Sequence, residues 1–186
     1  EDLNLEADET LSLLQLNHPP MAALLQAKAA TAIVKHIQFK VKVHSSLEGL
    51  SIRPFELVKV IGNIIDNAFD EEIKVPESIR YVDVTVEQQD ASYIAIHVFN
   101  RNSHIKPEER ELIFRQGYTS KQENHSGTGL AVTRQIIQKY SGNISISSEP
   151  EQGTRFTVTL PADSRRSHYS HNLGKNGLYT KQDLQN

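Results

Sequence analysis

Hydrophobic residues recur at helical spacing near the start of the chain. Leu11, Leu14, Leu24, Leu25, Ala29, Ala32 and Ile33 mark residues 5–37 as helix, in a background rich in Ala, Leu, Gln and Lys. His18-Pro19-Pro20 interrupts the run. Proline breaks a helix interior but suits a first turn, so a fresh helix is expected from about Pro19, with Gln26, Lys28 and His36 facing outward. Phe39-Lys40-Val41-Lys42-Val43 alternates as a strand does. From Pro54 to about Ile73 the periodicity returns to that of a helix, with Leu57, Ile61, Ile64, Ile65 and Ala68 on one face. Two alternating segments, 81–88 and 93–99, flank Gln89-Asp90-Ala91-Ser92 and read as a hairpin. Residues 100–128 are polar and irregular, apart from a short helical piece at 108–114; a loop of that length in a compact domain is functional or mobile. A helix over 129–140, closed by Ser141-Gly142, leads to a second strand pair at 144–148 and 156–160. Beyond Ala162 hydrophobic residues thin out, and a disordered or loosely attached tail is expected. This order predicts an α+β fold of two layers, helices on one face of a mixed, mostly antiparallel sheet. The expected division is a helical segment 1–37, a folded domain 38–162 and a tail 163–186.

Composition narrows the function. The 186 residues carry 20 basic and 23 acidic side chains, a formal charge of −3. A nucleic-acid partner, which needs surplus Lys and Arg, is not expected. With no cysteine, disulfide scaffolds, thiol catalysis and zinc–thiolate centres are excluded. No apolar run approaches the roughly 20 residues that span a bilayer. The chain opens on Glu1-Asp2 with neither an initiator Met nor a signal peptide, which reads as the cut edge of something longer.

Three groups of residues carry candidate chemistry. Asn63, Asn67 and Asp70 fall at i, i+4 and i+7 on the helix 54–73. Asn and Asp are poor mid-helix residues, and a solvated face would more often carry Glu, Lys and Gln. Oxygen atoms at this spacing suit one bound group, such as Mg²⁺ carrying phosphates. Ser126-Gly127-Thr128-Gly129-Leu130 opens the next helix, where glycines and free N–H groups suit a phosphate, or equally a hinge. Gly117-Tyr118-Thr119-Ser120-Lys121 offers hydroxyls and a cation beside a glycine, as any surface turn also does.

In order and spacing, these groups resemble the ATP-binding domain of the GHKL superfamily, the gyrase, Hsp90, histidine kinase and MutL proteins with the Bergerat fold. The likeness covers roughly residues 38–161. Asn63-Ile64-Ile65-Asp66-Asn67-Ala68 looks like the N box, and Phe114 with Gly117-Tyr118-Thr119-Ser120-Lys121 like the F box and lid. Gly127-Thr128-Gly129-Leu130 resembles the second glycine box and Gly153-Thr154-Arg155-Phe156 the third. Within the superfamily the match is best to bacterial sensor histidine kinases. Pro20 to Lys28 resembles the second dimerisation helix of citrate- and dicarboxylate-type sensors and of quorum-sensing kinases.

The resemblance implies bound Mg·ATP, with Asn67 on Mg²⁺ and Asn63 and Asp70 beside it. Asn100, aided by Thr154, would hold adenine, and Asn102 would be among the residues that bind the cofactor. Gly117, Thr119, Ser120, Lys121 and the Gly127, Thr128, Gly129 and Leu130 segment would hold phosphates. Asn63 and Asn67 are the residues it marks as catalytic. Members that hydrolyse ATP carry a Glu base at the position of Asn63; an amide is no base at neutral pH, so transfer rather than hydrolysis is expected. The implied partners are ATP, a response regulator and a second copy joined through the N-terminal helix. A membrane would enter only through a missing part of the parent, of which this would be the cytoplasmic end.

This sequence departs from the family in two places. The first glycine box, usually Asp-x-Gly-x-Gly, reads Asn100-Arg101-Asn102-Ser103-His104. Loss of the charged hydrogen bond to the adenine amino group removes about 1 kcal/mol and predicts roughly tenfold weaker ATP binding. Asn102, His104 and His125 replace glycines but are residue types that tolerate positive φ. Moreover, no His lies in a phosphoacceptor box: His18 precedes two prolines, His36 precedes Ile37, and His97 falls in a strand as a structural residue. His44, His104 and His125 belong to loops or strand ends, and His168 and His171 to the tail. The acceptor is expected upstream of Glu1 or on another protein. The alternatives are a non-catalytic kinase-like domain, a sporulation-type phosphotransferase acting as an interaction module, and a water-hydrolysing ATPase.

Overall fold

The computed structural model describes residues 13–118 and 129–163. Helix α1 spans Pro19–Val34, with Pro in its first turn and His18 as the N-cap. Its end turns on a left-handed His36 (φ 53°). The N–H groups of His36 and Ile37 return to the carbonyls of Ile33 and Ala32, a Schellman closure that stops the helix short of the expected residue 37 and drops Ile37 into the core.

Strand β1 is Gln38–Val43 and helix α2 Pro54–Glu72. Strands β2 (Tyr81–Asp90) and β3 (Tyr93–Asn100) form the expected hairpin, with a register shift between Gln88 and Asp90. The short helical piece predicted at 108–114 is two separate 3-10 turns, Pro107–Glu109 and Leu112–Phe114. The N–H groups of Glu109 and Arg110 reach back three residues, to Lys106 O and Pro107 O, which makes the first a 3-10 turn rather than the start of an α-helix. Helix α3 (Gly129–Lys139) and strands β4 (Asn143–Glu149) and β5 (Gly153–Pro161) complete the order.

The five strands run β1-β2-β3-β5-β4, with β1 parallel to β2 and every other pair antiparallel. A parallel pair needs a crossover, and α2 supplies it. Alternation sends Val82, Val84, Val86, Ile94, Ile96, Val98, Phe156, Val158 and Leu160 to one face. There they join the α2 stripe of Leu57, Ile61, Ile64, Ile65 and Ala68 in one buried cluster. The opposite face is largely polar: Lys42, Thr85, His97, Thr157 and Ser145 follow one another across the strands in register. His97 is spent there on structure, its Nδ1 2.9 Å from Thr157 Oγ1 and its Nε2 3.1 Å from Glu87 Oε1. The α+β layer arrangement is as the pattern predicted.

Helix α1 lies along α2. Met21, Leu25 and Ala32 enter the shared core, and Gly62 of α2 leaves only van der Waals room beside Leu24. Two expectations for α1 fail. Lys28 does not face freely outward; its side chain is 16% exposed and its Nζ sits 2.6 Å from Asp66 on α2. Ile33 is not on the buried stripe but 75% exposed, as is neighbouring Val34 at 78%. The buried line runs through Met21, Leu25 and Ala32, which turns Ile33 away from α2.

Candidate functional site

Helix α2 holds Asn63, Asn67 and Asp70 half-buried, and Asn63 meets α3. Asn63 Nδ2 donates to the carbonyl of Gly129 at 3.2 Å and lies 3.3 Å from Thr133 Oγ1. These residues are 66 and 70 positions apart in the chain. A Cβ on Gly129 would lie 3.8 Å from Asn63 Cγ. The first turn of α3, whose N–H groups have no partner within the helix and whose dipole end is positive, is thus fixed beside Asn63. Leu130 packs against the core from the same turn.

At the other end of α2 the site is built from the end of β3. Asn100 is 2% exposed, and its register partners are Thr154 on β5 and Val82 on β2. Its Nδ2 is buried without a hydrogen-bond partner among the described residues. A buried unpaired donor costs about 1–3 kcal/mol, so a position that keeps one is built to meet an acceptor. Thr154 is fully used within the protein. Its hydroxyl accepts from Ser103 Oγ at 2.7 Å, donates to Ser103 O at 3.1 Å and lies 2.8 Å from Ser148 Oγ. Ser148 Oγ accepts the N–H of Ile105 at 2.8 Å, while the Arg110 guanidinium donates to Ser148 O. These bonds staple the loop after Asn100 to the β4–β5 end of the sheet. Gly153 is required there: it has φ +84°, and a Cβ would stand 2.5 Å from Asn100 O and 2.8 Å from Phe99.

Asn102, counted among the cofactor-binding residues by sequence, is turned toward the protein. Its Nδ2 donates to Glu72 Oε2 at 2.7 Å and to Ile79 O at 2.8 Å, and its N–H donates to Glu72 Oε1 at 2.8 Å. Glu72 is wholly buried and also accepts the N–H of Tyr81 at 2.9 Å. Sequence reasoning missed Glu72, although the signal was present. It continues the apolar stripe of α2 four residues beyond Ala68, where an acid needs a built set of donors. It also missed Ser103, Ser148 and Arg110.

Phe114 is 9% exposed in the core, and Arg134 of α3 holds that segment by stacking 5.0 Å over the Phe114 ring and pairing with Glu111 at 2.7 Å. Gly117 follows with φ +81° and open space where a Cβ would stand. Thr119, Ser120, Lys121, Gly127 and Thr128 lie outside the described residues. The described residues thus bring Asn63 to Gly129 and Asn100 to Thr154, and give Asn102 to Glu72. Among them no three His or acidic side chains converge as a metal cluster, and no helix is long and apolar enough to cross a membrane.

Residues 53–164 match the family model described as histidine kinase-, DNA gyrase B-, and HSP90-like ATPase. The chain is 28% identical over 150 residues to a probable C4-dicarboxylate sensor kinase of Bacillus subtilis, covering 80% of this chain and 28% of that protein. It is 30% identical over 148 residues to the sensor protein CitS of the same organism, covering 78% of this chain and 27% of that protein. The fold matches the catalytic domain of histidine kinase ThkA with a TM-score of 0.68 at 20% identity, over 82% of this chain and 95% of that one. It also matches a mycobacterial sensor histidine kinase, MprB, with a TM-score of 0.64 at 23% identity, over 76% and 94% of the two chains. The chain thus spans under a third of the length of these two curated relatives. It belongs to the histidine kinase-, DNA gyrase B- and HSP90-like ATPase family, as an ATP-binding domain of the sensor histidine kinase type.

Proposed function

We propose that this chain binds Mg·ATP between α2 and α3 and supplies the γ-phosphoryl group to a histidine outside it, from which a response regulator takes it. The observation that carries the reading is Asn100. A buried, unpartnered amide donor at the end of a central strand fits the acceptor nitrogen of an adenine ring, and its carbonyl fits the exocyclic amine, as asparagine reads adenine elsewhere. The phosphate end would meet the first turn of α3, which Asn63 anchors through Gly129.

Asn67 offers a carbonyl oxygen, a hard donor that suits Mg²⁺ as one ligand among phosphate oxygens and waters. Mg²⁺, when bound, would neutralise charge on the phosphates. Asp70 would lie in the outer shell of that site. Gly117, Thr119, Ser120, Lys121, Gly127, Thr128 and Leu130 belong to the segments assigned to the phosphates. In transfer, an imidazole nitrogen of the acceptor forms a bond to the γ-phosphorus as the bond to the β-phosphate oxygen breaks. ADP leaves with that electron pair, and the imidazole proton passes to solvent. The chain's share of the work is positioning and charge stabilisation. Asn63 places an amide where hydrolysis would require a base, which supports transfer over water attack.

In this reading residues 1–37 belong to a dimerisation segment, 38–162 to the catalytic domain and 163–186 to a tail. Exposed Ile33 and Val34 on α1 then face a second copy, and the parent protein is anchored in a membrane through a part beyond this chain. Calorimetric titration with ATP, with and without Mg²⁺, tests the reading. Saturable Mg²⁺-dependent binding below millimolar, changed by Asn67→Asp, is expected. Absence of such binding overturns it, and steady phosphate release by the chain alone would assign it to the hydrolysing class.

A further inference from the structure

We propose that Glu72 and Asn102 form a positioning pair that sets the base-binding end of the nucleotide site, doing with side chains what the family does with a glycine-rich turn. The inference rests on the nucleotide-binding reading above and extends it to residues that do not touch the nucleotide.

Glu72 is fully buried in the last turn of α2, the helix that carries Asn63 and Asn67. Three N–H donors converge on its two oxygens: the Tyr81 backbone at 2.9 Å, the Asn102 backbone at 2.8 Å and the Asn102 side chain at 2.7 Å. The remaining proton of the Asn102 amide goes to Ile79 O at 2.8 Å. One carboxylate thereby joins the end of α2, the start of β2 and the loop that leaves β3. Asn102 stands two residues after Asn100, and the intervening Arg101 donates its N–H to Tyr81 O at 3.1 Å. On its far side the loop is held by Ser103 and Ile105 to Thr154 and Ser148. Asn100 therefore sits next to an anchored loop with one attachment on the helical layer and one on the sheet.

This arrangement explains a substitution that otherwise reads as decay. A glycine at position 102 could supply the backbone N–H to Glu72 Oε1 but not the amide that joins the Tyr81 N–H on Oε2 and ties it to Ile79 O. Glycine would also leave the loop more conformations to lose on binding. Glu72 and Asn102 are complementary, and each explains the presence of the other.

The test is a double-mutant cycle on Mg·ATP affinity, read by calorimetry on this chain, with thermal unfolding to establish folding. Asn102→Gly is expected to fold and to weaken Mg·ATP binding by roughly fivefold. In an Asn100→Ala background the same substitution should change affinity by less than about twofold, since the pair acts through Asn100. Glu72→Gln should follow the same pattern; if burial makes it unfold, Asn102→Gly carries the test alone. Unchanged affinity in Asn102→Gly, or equal losses in both backgrounds, overturns the proposal. If the unaltered chain shows no Mg²⁺-dependent ATP binding, the failure lies with the proposed function instead.

Discussion

Asn100 and His18 show how much one side-chain atom decides. The Asn100 amide presents a buried donor with no acceptor among the described residues. Replacing it with a carboxylate restores a charged acceptor, and Asn100→Asp is expected to tighten Mg·ATP binding by roughly tenfold, about 1 kcal/mol, read by calorimetry. His18 works in the opposite direction, because its lone pair is in use. Its Nδ1 accepts the N–H of Met21 at 3.1 Å and so caps α1. Burial first of all lowers its pKa from the ordinary 6.5, against a smaller upward effect of its own backbone. The folded state favours the neutral ring, so the cap contributes fully above pH 6.5 and is lost as pH falls through the lower folded value. Thermal unfolding between pH 7.5 and 5 should show this loss, and His18→Asn, which caps without titrating, should flatten it.

Between elements, the contact of α2 with α3 is fastened at both ends. Asn63 holds the start of α3, and Glu56 holds its end through Lys139 at 2.8 Å and the Tyr140 hydroxyl. The hydrogen bond from Lys139, then that from Tyr140, keeps the Glu56 carboxyl below its ordinary 4.5, and the bond to Glu56 raises Lys139 above 10.5. The Glu56 contribution is present above pH 4.5 and disappears as pH falls through the lower folded value; that of Lys139 is present below pH 10.5 and disappears as pH rises past the folded value. Glu56→Gln should lower the unfolding midpoint at pH 7 and make little difference near pH 3. These fastenings also mark the limit of sequence reading. The apolar stripe of α2 was legible because five residues at helical spacing admit one face. The asparagines stood out as candidates because they are poor helix formers in a helix interior. The partners of Asn102 were not, since a residue on one loop and an acid 30 positions earlier meet only once the sheet is folded. Lys28 was misread because long side chains bury their stems while the charge finds a partner.

Across the whole molecule, local pattern and tertiary structure agree on the layers. Strand alternation and the helical stripe point to one shared core, and α1 adds Met21, Leu25 and Ala32 to it. What composition could not show is how the polar positions divide the work. One face of the sheet spends them on cross-strand order, and the edge of the helical layer spends them on the candidate site. The sheet also has two ends. The edge strand β1, beside α1, carries exposed Lys40 and Lys42 on its outward positions, where two more β-branched residues would have completed the strand pattern. An open strand edge is a template for further strands, and lysine there repels a copy of itself. On that principle the two charges would act as a terminus for the sheet, opposing its extension by a neighbouring copy. Lys40→Val with Lys42→Val is expected to leave the unfolding midpoint nearly unchanged and to produce light scattering that rises with protein concentration, an assembly that ends in fibres rather than in pairs.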